Sequence, residues 1–270
     1  MEIKDYAALL NTKAEFRNPN LFLYGPPGVG KTVTGACFPN PLFVRDKQED
    51  GINTLKTSNL VDPNIPVMPV AETWMELLQQ MAWIASKSEG FQTLVVDTIG
   101  GLERLCAEHI CKTQFRGQWG EKGFGGFGRG WEACVPEWRR LINAFDSIRD
   151  KKGMQIVLLA HSQVKMFKNP EGDDYDRYQP ELHHKIWAAT SKWVDMILFA
   201  NFFVEVEESG LRKKGRGGTL RYMYPVGTAA YEAKNRHGLT DDIAMGDSGK
   251  DAYSNLVAAI EAAKKGNSYG

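Results

Sequence analysis

Apolar positions along this chain follow two periods that take turns. LFLYG (21–25) is an unbroken apolar run stopped by glycine and proline, the pattern of a buried strand. PLFVRD (41–46) reads as a second strand and IPVMPV (65–70) as a candidate third. FQTLVVDT (91–98) gives the strongest strand signal, and MQIVLLAHS (154–162) gives another. Between them the spacing turns helical. It does so in GKTVTGACF (30–38), ETWMELLQQMAWIAS (72–86), 100–112, VPEWRRLINAFDSIRD (135–150) and DAYSNLVAAIEAAKK (251–265). Residues 1–18 predict a short amphipathic helix through Ile3, Ala7 and Leu10, a candidate subunit contact.

WVDMILFANFFVEVEE (193–208) and TLRYMYPV (219–226) predict a C-terminal β-hairpin, joined by the basic SGLRKKGRGG (209–218). The polar, proline-containing stretch 164–183 predicts a long loop. Helices alternating with buried strands imply an α/β fold with a mostly parallel central sheet flanked by helices. With no internal repeat and no long linker, 1–270 reads as a single domain.

Composition narrows this picture only a little. The 270 residues are 43% hydrophobic and 24% charged, which suits one sizeable core and argues against wholesale disorder. With 33 basic and 33 acidic residues the chain is no bulk polycation, so nucleic-acid binding would need local basic patches. Cys37, Cys106, Cys111 and Cys134 form no CxxC pair, which favours reduced thiols. The start, Met1-Glu-Ile-Lys-Asp, lacks the apolar stretch of a secretory leader, and no apolar run approaches ~18–20 residues. An intracellular protein without a membrane span is expected. Cys106, His109 and Cys111 cannot converge on one ion from their spacing, and the His183-His184 dipeptide divides between two faces, so no structural zinc is expected.

The chemistry begins after the first strand. Gly25, Pro26, Pro27, Gly28, Val29, Gly30, Lys31 and Thr32 form GxxxxGKT between a strand and a helix, a complete P-loop. Its glycines let backbone N–H groups surround a phosphate at a helix N-terminus. Lys31 would reach the β- and γ-phosphates of ATP, and the Thr32 hydroxyl would ligate Mg²⁺. Thr34 joins the expected nucleotide-contact set. Asp97, closing TLVVD at the carboxyl end of a strand, is placed to hold Mg²⁺ through water. Thr98 follows it rather than a second acid, so the group that orients the attacking water must come from elsewhere. Glu49 is the candidate, with Asp46 and Asp50 as competitors.

Segment 113–131 intersperses Phe115, Trp119, Phe124, Phe127 and Trp131 with Arg116, Lys122 and Arg129, spaced by glycines. Aromatic faces for stacking plus cations for phosphates suit single-stranded nucleic acid. Lys165 and Lys168, later in the chain, and the cluster Arg212, Lys213, Lys214 and Arg216 add further basic candidates. Acidic neighbours such as Glu171 and Asp173 leave the middle stretch ambiguous.

With the P-loop, an acid after the second strand, Asp97 and a late Lys-x-Arg in this order, residues 18–240 resemble RecA-type ATPases. They look most like the short, core-only RecA/RadA-like proteins of phages grouped with single-strand annealing recombinases. GPPGVGKT would also suit AAA+ proteins. The missing second acid, the position of Glu49, VLLAHSQ and AKNRHG are what favour the RecA side. The resemblance implies a RecA-like P-loop core and a γ-phosphate sensor at His161 or Gln163. It implies that Lys234 and Arg236 reach the ATP of a neighbouring subunit. It also implies DNA loops at 113–131 and 162–188.

The function implied is a Mg²⁺-dependent ATPase, stimulated by DNA, that forms a ring or filament on single-stranded DNA and promotes recombination or annealing. A single-strand-binding protein is a candidate companion, and a phage origin in a bacterial cytoplasm is part of the same implication. The alternatives are a ring-forming translocase, helicase or helicase loader, and an ATP-switched DNA-binding protein with little turnover. A small-molecule kinase is weaker, for want of an arginine-rich lid.

Overall fold

The computed structural model describes residues 18–209 and 212–266, with the side chains of 205–217 and 266 not among them. The helix expected over 1–18 lies, Asn18 apart, outside the described residues. In chain order the first elements are β1 (Leu21–Gly25), α1 (Lys31–Ala36), β2 (Pro41–Arg45), α2 (Gly51–Thr57) and α3 (Trp74–Lys87). Next come β3 (Thr93–Asp97), α4 (Ile99–Gln114), α5 (Arg129–Lys152), β4 (Gln155–Phe167), β5 (Tyr175–Pro180) and α6 (His184–Trp193). The chain then forms β6 (Met196–Ser209), β7 (Arg212–Tyr224), β8 (Lys234–Asn235), β9 (Ile243–Ala244) and α7 (Gly249–Gly266).

The strands make one sheet in the order β2-β3-β4-β1-β6-β7-β9, with β5 paired to β4 and β8 to β6. From β2 to β6 every pairing is parallel, and β6–β7 is an antiparallel hairpin. This is the mostly parallel, helix-flanked sheet with a C-terminal hairpin that the alternating runs imply. Strand residues alternate between two cores. Phe22, Tyr24, Leu94 and Val96 pack with Trp74, Leu102 and Trp138 of α3, α4 and α5. Leu21, Leu23, Val95 and Val157 pack with Ile52 of α2 and Leu256 of α7 on the other face. Burial on both faces is why these strands read as unbroken apolar runs. Helix α3 begins where Thr73 caps the Glu76 N–H at 3.2 Å, while the Glu76 carboxylate takes the Glu72 N–H at 2.8 Å.

Four segments depart from the sequence expectation. Residues 65–70 form no named strand. The segment touches β2 through one bridge, Phe43 to Val67, because Pro66 and Pro69 have no N–H to extend the ladder. Helix α5 begins at Arg129, not 135, so Pro136 lies inside it rather than at its start. The loop expected over 164–183 is largely a hairpin, with β4 continuing to Phe167 and pairing antiparallel with β5 from Ser162↔Pro180 to Phe167↔Tyr175. The pairing of β6 with β7 runs to Ser209↔Arg212, so the connection expected over 209–218 is mostly strand.

A strap over 228–236 crosses the sheet edge and is fastened on two sides. The Tyr178 N–H of β5 donates to Ala230 O at 2.8 Å, and Arg177 Nη2 donates to Tyr231 O at 3.3 Å. From β1, the Tyr24 hydroxyl donates to Glu232 O at 2.6 Å. Trp187 Nε1 of α6 donates to the Glu232 carboxylate at 2.7 Å.

Candidate nucleotide site and its surroundings

The P-loop follows β1 at the carboxyl end of the sheet. A Cβ at Gly25 would lie 2.1 Å from Ala200 O, so only glycine lets β6 run this close as the loop begins. Gly30, with φ 104°, turns the chain into α1 in the left-handed region. Lys31 is buried, and its Nζ donates to Gly25 O at 2.8 Å and Pro26 O at 2.9 Å. Burial brings its ammonium down to about 8, against the pull of Asp97 and Glu49. Thr34, expected among the nucleotide contacts, is buried and commits its hydroxyl to Gly30 O at 2.9 Å.

Three neighbouring strand ends complete the site. Thr32 Oγ1 donates to Asp97 Oδ2 at 2.8 Å, and Asp97 is 5% exposed. Burial pushes its carboxyl above the ordinary range, while the Thr32 hydroxyl pulls it partly back. The Asp97–Thr98 peptide is cis. In the turn after β2, Glu49 Oε1 lies 2.8 Å from His161 Nε2 of β4. The competitors of Glu49 are occupied. Asp46 is buried and paired with Arg104 at 2.9 Å, and Asp50 pairs with Arg45 at 3.1 Å. Of the two sensor candidates, His161 stands with Glu49. Gln163 turns to β5, donating to Pro180 O at 2.9 Å. A cleft of about 240 Å³ opens here, lined by Asp46, Gln48, Glu49, Thr98, Glu103 and His161.

This donor set fits Mg²⁺ and a triphosphate. A hydroxyl and a buried carboxylate, both hard oxygen donors, face one another at 2.8 Å. Thr32 and Asp97 would hold the ion, and the P-loop amides with Lys31 would hold the phosphates.

Lys234 and Arg236 lie at the other end of the strands. Lys234 pairs with Ile197, which is level with Phe22, three residues before Gly25. At ~3.3 Å per residue that is ~10 Å below the start of the P-loop. Lys234 Nζ donates to Ser191 O, and burial lowers its pKa. Arg236 pairs with Asp195 at 3.0 Å and donates to Lys192 O at 3.1 Å. Neither cation touches the P-loop of its own chain.

The nucleic-acid candidates divide. In 113–131, Phe124 is a core residue, 3% exposed, ringed by Phe115, Trp119 and Trp131 at 5.0–5.8 Å between ring centroids. Its expected stacking role does not fit that position, because the ring holds the segment together from inside. Phe127 is 99% exposed at φ 51°, and Trp119 is 52% exposed. Arg116, Lys122 and Arg129 are exposed beside them, Arg129 donating to Gly126 O at 3.2 Å. Lys165 and Lys168 are exposed on the β4–β5 hairpin, where Lys168 pairs with Asp174. Arg212, Lys213, Lys214 and Arg216 stand on the β7 backbone, their side chains outside the described residues. Trp131 stacks on His183 at 4.1 Å, which joins the two expected DNA segments.

Two residues of this region escaped the sequence reading. Arg104 on α4 pairs with Asp46 at the border of the cleft. Arg221 on β7 reaches the P-loop itself, with Nη1 donating to Val29 O at 3.4 Å. Their only signal was a cation in an otherwise ordinary helix or strand.

The sequence model of a family described as an AAA domain matches residues 17–237. Among solved structures, the chain is similar to the crystal structure of the RadB recombinase. Identity is 12% and the TM-score 0.42, covering 76% of this chain and 79% of that one. No curated protein matches the chain. Among the described residues, no helix is long and apolar enough to cross a membrane.

Proposed function

The chain belongs to the AAA domain family, and on that premise we propose that it is a Mg²⁺-dependent ATPase whose active site is shared between copies and whose work is done on single-stranded DNA. The observation that carries the catalytic part is the line Glu49–His161 and Thr32–Asp97, set across the ends of β2, β4 and β3 beside Lys31. Lys31 exchanges the Gly25 and Pro26 carbonyls for phosphate oxygens. Thr32 and Asp97 would hold Mg²⁺, which would supply neutralisation of phosphate charge. Glu49, held by His161, orients the attacking water and accepts its proton. Lys234 and Arg236 act on the phosphate of the next copy, where cations stabilise the charge that develops.

Their position favours such a head-to-tail arrangement. The end bearing the two cations is opposite the end bearing the P-loop, and a repeated contact of that kind generates a ring or a filament. The exposed Phe127 and Trp119, with Arg116, Lys122 and Arg129, support stacking on single strands during recombination or annealing. A second reading is a nucleotide-switched DNA-binding protein with little turnover, in which His161 would occupy the Glu49 oxygen that must otherwise accept the proton.

ATP hydrolysis measured against protein concentration, with and without a single-stranded oligonucleotide, tests the proposal. A rate per subunit that rises with concentration and with DNA supports the shared site. A flat rate indifferent to DNA removes both the sharing and the DNA role, and binding without hydrolysis leaves the switch.

A further inference from the structure

Arg221 faces Phe202 across the hairpin, at the irregularity between Phe202 and Val204. Its side chain ends against the P-loop, where Nη1 donates to Val29 O at 3.4 Å and Nη2 to Gly246 O at 2.8 Å. A Cβ on Gly30 would lie 2.8 Å from Nη1, so the guanidinium fills the space beside the loop that a side chain at 30 would take. The main chain is fixed as well, since the Met245 N–H donates to Arg221 O at 2.8 Å. Arg221 lines a cavity of about 220 Å³ with Gly30, Val33, Thr34, Met245 and Asp247, adjoining the P-loop on its α1 side.

A guanidinium is always charged and carries five N–H donors. Here its hydrogen bonds go to neutral carbonyls, and among the described residues no carboxylate pairs with it. Asp247 borders the same cavity without forming an ion pair to it. Among the described residues, a cation without an ion-pair partner thus lies half-buried against the P-loop.

We propose that Arg221 is a nucleotide-contacting residue of its own chain, its guanidinium binding the phosphates nearest the nucleoside of a bound di- or triphosphate. The proposal rests on the nucleotide-binding reading above. It assigns Arg221 a role distinct from Lys234 and Arg236, because a contact on those phosphates is made alike to ADP and ATP. It therefore acts on binding rather than on the transition state.

The test is titration of the full chain with Mg-ADP and Mg-ATP, comparing wild type, R221Q and R221K. R221Q is expected to weaken both ligands by about 10- to 100-fold, with R221K between, and the loss to appear in Kd and KM more than in kcat. Equal ADP affinity in wild type and a folded R221Q overturns the proposal. Should R221Q melt early, phenylglyoxal labelling of wild type mapped by mass spectrometry decides. ADP protects Arg221 if the proposal holds, and an unprotected Arg221 in the ADP-saturated protein overturns it. Wild type that binds neither nucleotide removes the underlying reading along with this one.

Discussion

Glu49 and His161, 112 positions apart, meet with Oε1 and Nε2 separated by 2.8 Å, and β3 with Asp97 runs between their strands. The contact gives the Glu49 carboxylate one orientation at the carboxyl edge of the sheet. It also ties the turn after β2 to β4, the strand that continues into the β4–β5 hairpin.

E49Q keeps the shape of this contact and removes the basic oxygen. Turnover should fall by about 10²–10⁴-fold while ATP affinity stays near wild type. H161A should lower kcat as well. Because the two residues act as a unit, the E49Q/H161A double variant should be little worse than E49Q alone. Steady-state kinetics with parallel binding titrations would show this, and additive losses would mean the two act separately.

Lys31 makes nucleotide binding depend on pH in a defined direction. Its native value of about 8 lies below the ordinary 10.5, so between these the unfolded chain holds the extra proton. Stability of the ligand-free protein should therefore rise with pH through that window, and below about 8 the buried charge destabilises the fold. Phosphate contact requires the ammonium, so affinity for ATP should decline above about pH 8, with proton uptake on binding. Calorimetry in two buffers of different ionisation enthalpy at pH 9 measures that uptake, and identical heats in both would contradict it.

Asp97 is a buried carboxylate whose charge burial disfavours. D97N should leave the ligand-free melting temperature unchanged or higher, while Mg²⁺-dependent ATP binding weakens at least tenfold and hydrolysis is lost. A clear drop in melting temperature would mean that the Thr32 contact outweighs the burial cost.

Lys234 and Arg236 are best tested by mixing. The K234A/R236A variant should bind ATP but lose turnover by about 10³–10⁵-fold. Added to K31A protein, which keeps the cations but lacks a working P-loop, it should recover part of that activity. An inactive mixture of two folded, associating variants would argue against sharing.

Phe124 and Phe127, three residues apart, should behave in opposite ways. F124A removes a core ring and should cost about 3–5 kcal/mol of stability. F127A removes a ring that is 99% exposed, so the melting temperature should hold while affinity for a single-stranded oligonucleotide weakens by about 1–3 kcal/mol. Fluorescence anisotropy with thermal melts separates the two, and unchanged oligonucleotide affinity in F127A would withdraw its stacking role.

What the sequence disclosed follows from what was buried. Strands β1 and β3 are covered on both faces, so their apolar runs and the residues closing them, Gly25 and Asp97, could be read directly. The β4–β5 hairpin could not. Val164 and Met166 are 55% and 63% exposed, and with no covered face the alternation that announces a strand is lost among polar residues. The helix expected over 135–150 extends back to Arg129, with Pro136 inside it. GPPGVGKT did not by itself separate the RecA side from AAA proteins, and the family match rests on the longer span 17–237. What occupies Asp46, the rival of Glu49, is Arg104, 58 positions away, a pairing that tertiary structure alone decides.

The strap over 228–236 gives the hairpin a mechanical consequence. Tyr178 bonds it at 230 and Arg177 at 231, while Tyr24, the residue before Gly25, bonds it at 232. Lys234 and Arg236 follow within four residues. It behaves as a tie-rod with three anchor points. Separating β5 from the strap would require breaking the bonds at 230 and 231. The β4–β5 hairpin and the two cations thus lie on one tied segment, with the strand that leads into the P-loop bonded to it between them.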